Sequence, residues 1–391
     1  MVYQEEFYVE RWMDTYEHQV TCNIAETCCY SMSLDEIAQL SNSVVPLAQI
    51  SKMRLSYGVI PGSDQLRTAV ATIYNDTTPK LISDNEAHTS VTKENVVITN
   101  GATAANFLVF YGLVGPGDEV VVIDPAYQSL QSVPKMFGAN INLLTLKESN
   151  NYLPDMAELA QIVEEKNPKV ILVNSPHNPY GSVISTSLLQ DIVNIAKTCD
   201  AYVVCDEVYR PLYHNIADGD EIPASIVNLY QKGISTSSTS KAYSLAGLRV
   251  GWVATRDASA LDECMKRRDY NTISVSMIDD YFATYVLSQY KPILKYNLEL
   301  CRKNLQILSD FVKSSNGALS YFPPQGGSVT MLKIRGCENT EKFCADFAEK
   351  YSCLTIPGEC FNRPGQIRVG FANKTADLIH GLHILKSYME S

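Results

Sequence analysis

The chain has 391 residues, 46% of them hydrophobic and 19% charged, with a formal net charge of −11. That length suits one large core plus a smaller one, because single cores stop growing at roughly 250–300 residues. The acidic balance argues against a nucleic-acid-binding surface, which needs a concentrated basic face, and no apolar run reaches the ~18 residues of a membrane span.

The opening stretch MVYQEEFYVERWMDTYEH is charged and acidic, without the apolar segment of a signal peptide, so a cytoplasmic location is expected. The 11 cysteines are odd in number and form no C-x-x-C pair or zinc-type Cys/His cluster, which predicts free thiols in a reducing compartment and no metal. Residues before about Tyr57 read as helical. Strands are then predicted at ENVVIT (94–99), DEVVVID (118–124), KVILVNS (169–175), AYVVCDE (201–207), KGISTSS (232–238) and LRVGWVAT (248–255). The runs VVVI, VILV and VVC are continuously apolar, as in strands covered on both faces. Helical segments such as SLLQDIVNIAKTC lie between them, with apolar residues three and four apart. This alternation predicts an α/β fold with a mostly parallel sheet. From about Asp279 a long helical stretch is expected over 279–315, followed by shorter strands (SVTMLKI, SCLTIP, QIRVGF) and a final helix, a smaller α+β domain. The expected division is an N-terminal segment, 1–56, that joins the small domain and covers the site, a large domain, 57–278, and a small domain, 279–391.

Ligands of open α/β sheets bind beyond the carboxyl ends of the strands, so the residues just after each strand sample a site. After the first strand, Gly101, Ala102 and Thr103 open a helix. Free N–H groups and a hydroxyl there suit a phosphate, although Thr103 also reads as a simple helix cap. Tyr127 in DPAY is either packing or a platform for a flat ring. NSPHNPYG fixes a loop with Pro176 and Pro179 and offers the amides of Asn174 and Asn178. Asp206 ends an apolar strand, where a carboxylate needs a helix cap or a cationic partner, such as a pyridinium N–H. In STSSTSKAYSLAGLRVGW, Ser238 and Arg249 are suited to a phosphate, with Lys241 free to form a Schiff base. Arg368, inside the strand QIRVGF, requires an anion, either a structural carboxylate or a substrate's.

The pieces YGVIPGSDQLR, TNGATAANF, DPAY, NSPHNPYG, CDEVY, SSTSKAYSLAGLRVGW and QIRVGFA, in this order, resemble the class I/II aminotransferases, enzymes of the type I pyridoxal-5′-phosphate (PLP) fold. The resemblance runs from about Tyr57 to the C-terminus. It implies that Lys241 holds PLP as a Schiff base and shuttles the substrate's proton. Asp206 would pair with the pyridine nitrogen, Asn178 and Tyr209 would hydrogen-bond the ring's 3′-oxygen, and Tyr127 would stack on the ring. Gly101, Ala102, Thr103, Ser238 and Arg249 would bind the phosphate. Tyr57 would reach the phosphate of a partner subunit, which implies a homodimer with shared sites. Arg368 would grip the substrate α-carboxylate, with Asn178 beside it.

One stretch departs from the family pattern. NIAETCCYSMSLDEI has Ala25, Thr27 and Cys28 where the family commonly has Gly, Pro and Asp; this proline-free, helix-prone version suggests a different lid. It is similar to that of a subgroup acting on arginine, the capreomycidine-synthase-like and arginine-oxidase-like enzymes. Glu26 then reads either as a solvated loop acid or as the partner of a cationic substrate group. Asp35 and Glu36 read as first-turn helix acids. The resemblance thus implies transfer of an α-amino group from a free amino acid to a 2-oxo acid. Its alternative is oxidation, deamination or cyclisation of a cationic amino acid. A non-catalytic PLP-binding regulatory domain fits less well, because the chain carries no basic N-terminal extension.

Overall fold

The computed structural model describes residues 4–78, 90–216 and 222–390. A short strand, β1 (Cys22–Asn23), precedes the strands of the large sheet. These are β2 (Val96–Thr99), β3 (Glu119–Asp124), β4 (Asn140–Thr145), β5 (Val170–Asn174), β6 (Tyr202–Asp206), β7 (Gly233–Ser238) and β8 (Gly251–Thr255). They stand in the order β2-β8-β7-β6-β5-β3-β4, with β8 antiparallel to both neighbours and every other pair parallel. Apart from their first residues, β3 and β6 are buried along their length, and β5 and β7 are buried throughout. This is the burial expected of sheet strands with helices on both faces.

Three elements differ from the sequence expectation. β4 was not anticipated: NINLLT is an edge strand with only Leu144 buried, so it lacks a strong apolar pattern. Strand β8 starts at Gly251 because Ala246–Leu248 forms a 3₁₀ turn and Arg249 adopts φ 51°, which turns its side chain out of the ladder. The helical stretch expected over 279–315 is two helices, Met277–Leu287 and Tyr290–Ser314, and Pro292 lies in the first turn of the second, where it costs no hydrogen bond.

The remaining strands are β9 (Leu319–Tyr321), β10 (Val329–Ile334), β11 (Cys353–Leu354), β12 (Ile356–Pro357) and β13 (Gln366–Gly370). A four-stranded antiparallel sheet runs β12-β13-β10-β9, and β11 pairs in parallel with β1. One apolar cluster includes Ile98 and Trp252 of the large sheet and Leu332 and Ile367 of the small one, so the core is continuous between them. The helix Tyr8–Tyr16 is pinned by Trp12, whose indole N–H donates to Thr355 O at 2.9 Å. Residues 24–32 are extended or turned, not helical, so the helix-prone reading of that stretch fails. The next helix, Leu34–Ser41, opens with a Ser33–Glu36 capping box, which accounts for its first-turn acids.

Candidate active site

A cavity of about 550 Å³ opens at the carboxyl ends of the large-sheet strands and is covered by the N-terminal helix and the extended stretch before Tyr30. Its lining includes Lys241, Asp206, Tyr209, Ala102, Thr103, Tyr127, Asn178, Ser238, Arg249, Arg368 and Glu26.

At one end, the helix Gly101–Leu113 begins without a side-chain cap: its N-cap, Asn100, makes no capping bond, and Thr103 lies inside the first turn instead of capping it. Gly101 has φ 83°, a left-handed conformation that favours glycine, and the Arg249 guanidinium packs directly against it. Uncapped N–H groups, the Thr103 and Ser238 hydroxyls and Arg249 together make a cradle for a dianion.

Asp206 lies deeper, at the end of β6, and is 5% exposed. It accepts hydrogen bonds from Asn106 Nδ2 at 2.8 Å and Val208 N at 3.0 Å. Asn106 is itself fixed by Thr236, whose hydroxyl donates to Asn106 Oδ1 at 2.6 Å. Burial raises the Asp206 pKa despite these donors, so a further strong donor would stabilise its carboxylate. Asn106 was not singled out from sequence; its only signal was a lone amide in an otherwise apolar helix.

Lys241 Nζ donates to Thr27 Oγ1 and to Cys28 Sγ, the latter at 3.3 Å. Burial opposes its charge, but Cys28, Tyr209 and Glu26 around it together hold its pKa above the ordinary lysine value. Glu26 accepts from the backbone N–H of Thr27 at 2.7 Å and of Cys28 at 2.9 Å through a single oxygen, Oε1. Burial works against the Glu26 charge as well, yet Lys241 and these backbone donors keep its pKa below the usual value.

Arg368 is 2% exposed and meets only neutral acceptors, Asn178 Oδ1 at 3.5 Å and Ala25 O at 3.3 Å, with Phe361 5.3 Å beneath its guanidinium. Its Nε has no hydrogen-bond partner among the described residues. A buried guanidinium in that condition, on a cavity wall, awaits an anion. The Tyr127 hydroxyl donates to Glu10, and its ring centroid lies 4.9 Å from that of Phe7. The helix bearing these residues also places Asp14 and Glu17 on the cavity wall. The spacing Glu10, Asp14, Glu17 (i, i+4, i+7) was legible as one helix face, but not its destination. Tyr57 is outside this cavity and 82% exposed.

PLP consists of a phosphate, a pyridine nitrogen and an aldehyde carbon. The uncapped dianion cradle, the buried Asp206 carboxylate and the Lys241 amine offer one partner for each, so the residues present fit the group. Sheet order and cavity together define a type I PLP-dependent fold. Residues 29–382 match the family model described as aminotransferase class I and II, and the chain belongs to that family. A PLP-dependent aminotransferase from Streptococcus suis has a solved structure with a TM-score of 0.90 and 34% identity, covering 99% of this chain and 98% of that one. Capreomycidine synthase of Streptomyces vinaceus is 25% identical over 96% of this chain and 91% of its own length. The aspartate aminotransferase of Thermotoga maritima is 27% identical over 77% of each chain. The protein is therefore a PLP-dependent enzyme of the aminotransferase family, a family that uses amino acid and 2-oxo acid substrates.

Proposed function

We propose that this enzyme takes the α-amino group from an amino acid with a cationic side chain and passes it to a 2-oxo acid. The observation that carries the reading is the charge layout of one cavity. Arg368, with its unpartnered Nε, faces the same space as Glu10, Asp14, Glu17 and Glu26. Of the three cations on the wall, Lys241 and Arg249 serve the cofactor, which leaves Arg368 for the α-carboxylate. Among the remaining charged residues described on the wall, a second substrate carboxylate would then meet only acids, so aspartate should be a poor substrate even though one relative is an aspartate aminotransferase. A guanidinium or ammonium is the matching group.

Like charges at i, i+4 cost an isolated helix about 0.2–0.5 kcal/mol, and here burial and then the Glu26 carboxylate raise the Glu17 pKa. A substrate cation relieves both effects. Bound PLP supplies an electron sink for the carbanion formed at the substrate's Cα. The chain's residues do the rest. Gly101, Ala102, Thr103, Ser238 and Arg249 would hold the phosphate, Tyr127 would cover the ring, and Asn178 and Tyr209 would bond its 3′-oxygen. Asp206 would pair with the ring nitrogen, Arg368 would fix the substrate carboxylate, and Lys241 would take and return the Cα proton.

The experiment compares arginine, lysine, leucine and aspartate, each with and without a 2-oxo acid, following keto-acid product and the cofactor's visible spectrum. Arginine or lysine should act at far lower concentration than leucine or aspartate, and Glu17→Gln should erode that preference. A wild-type preference for aspartate ends the cationic reading and leaves the family assignment standing. The capreomycidine synthase likeness favours a second reading, cyclisation or oxidation of the same class of amino acid; turnover of arginine with no 2-oxo acid present would select it.

A further inference from the structure

Thr27 and Cys28 lie in the stretch that departs from the family pattern, and they are the two groups on which the Lys241 amine rests. We propose that Thr27 and Cys28 form a seat for the Lys241 amine once the substrate's own amine has displaced it, and so position it for proton transfer; this rests on the reading of Lys241 as the cofactor-bearing lysine.

The seat is rigidly built. Ile24 O accepts from Gly370 N at 2.7 Å, the Ser328 hydroxyl donates to Thr27 O, and Tyr30 N donates to Ala372 O at 2.9 Å. Both ends of the stretch are thus tied to the chain around β10 and β13, and Glu26 Oε1 ties its middle to itself. A Cβ on Gly370 would collide with Glu26 O, so the close approach depends on glycine.

The chemistry of the two acceptors matters as much as their position. Burial pushes the Cys28 thiol up to about 11, so at neutral pH it is S–H. A hydroxyl and a thiol can each accept from an ammonium or donate to a neutral amine. A carboxylate in their place would accept only, and would fix Lys241 in the ammonium form. That form cannot take a proton. A seat that carries no charge of its own adds no ion pair to hold the ammonium, so the amine set free when the substrate's amine replaces it can rest there uncharged; its lone pair then takes the proton on the substrate's Cα, the C–H electron pair staying with the substrate carbon. Thr27 and Cys28 do not touch the reacting carbon in this scheme; they are positioning residues.

The test uses Thr27→Val, which keeps shape and loses the hydroxyl, together with Thr27→Ser and Cys28→Ala. The first readout is the PLP-free protein, in which the rate of PLP uptake against pH reports the free amine of Lys241. Loss of a hydrogen bond to the charged form should move that profile down by about one to two pH units in Thr27→Val. The second readout is the holoenzyme, in which kcat should fall about tenfold with KM little changed, and Thr27→Ser should restore both. An unshifted uptake profile with wild-type kcat in both Thr27→Val and Cys28→Ala overturns the seat. A Lys241→Ala variant that keeps the visible band of lysine-bound PLP overturns the reading beneath it instead, so the two failures are separable.

Discussion

Asp206 ends an apolar strand and Arg368 lies inside one, and an ionisable side chain there is conspicuous because leaving it unpaired is costly. Asn178 was legible from its proline-fixed loop and Lys241 from the run of small hydroxyl residues around it, each just beyond a buried strand. Asn106, Thr27 and Cys28 carry no such signal. Their importance comes from what sits 100 or more residues away: Asn106 meets Asp206, and Thr27 and Cys28 meet Lys241. Two outcomes follow at this scale. Lys241→Ala should lose the visible band of lysine-bound PLP and essentially all turnover, read by absorbance and single-turnover assay. Arg368→Ala should leave PLP content intact and weaken amino-acid binding by about 2–5 kcal/mol, the usual loss for one half of a desolvated charge pair. Wild-type affinity in that variant would mean that the α-carboxylate is held elsewhere.

At the scale of elements, the strongly apolar strands were readable and the edge strand Asn140–Thr145 was not, because an exposed edge has no hydrophobic run to betray it. The long helix was readable as helical but not as two helices; Pro292 marks a first turn, which the pattern of apolar residues does not distinguish from an interior. The segment 1–56 was expected to cover the site, with its lid around Glu26; the helix Tyr8–Tyr16 lines the cavity as well, docked by Trp12 on Thr355 O and by Tyr127 on Glu10. The proposed role of its acids has a pH signature. The Glu17 pKa is raised, first by burial, so its charge is lost at higher pH than that of an ordinary carboxylate. A bound cation favours the ionised form. KM for a cationic substrate should therefore rise as pH falls through that raised pKa, and Glu17→Gln should flatten this limb of the profile. A KM that is pH-independent in the same range would remove Glu17 from recognition.

For the whole molecule, the feature with no account inside one chain is the exposed apolar surface around Tyr57. Leu55, Tyr57, Val59 and Ile60 are 75%, 82%, 56% and 47% exposed, and Tyr270 and Ile273 are 84% and 43% exposed. The two segments adjoin, since a Cβ on Gly58 would lie 2.9 Å from Val275 O. Exposed apolar residues grouped in this way mark an association surface, and Tyr57, which does not line the cavity, is among them. The resemblance would place a tyrosine of this motif on the phosphate of a second subunit, and we propose a homodimer with shared sites to account for the exposed surface and Tyr57 together. Light scattering should give twice the chain mass. Ile60→Asp, which puts a charge into the patch, should yield monomers that lose PLP on dilution. Tyr57→Phe should remain dimeric, because the ring is kept, and should release PLP about tenfold faster, because one hydrogen bond to a charged group is gone. A wild-type chain that stays monomeric while retaining PLP and full activity would show that the site is complete within one copy and that the apolar surface serves something else.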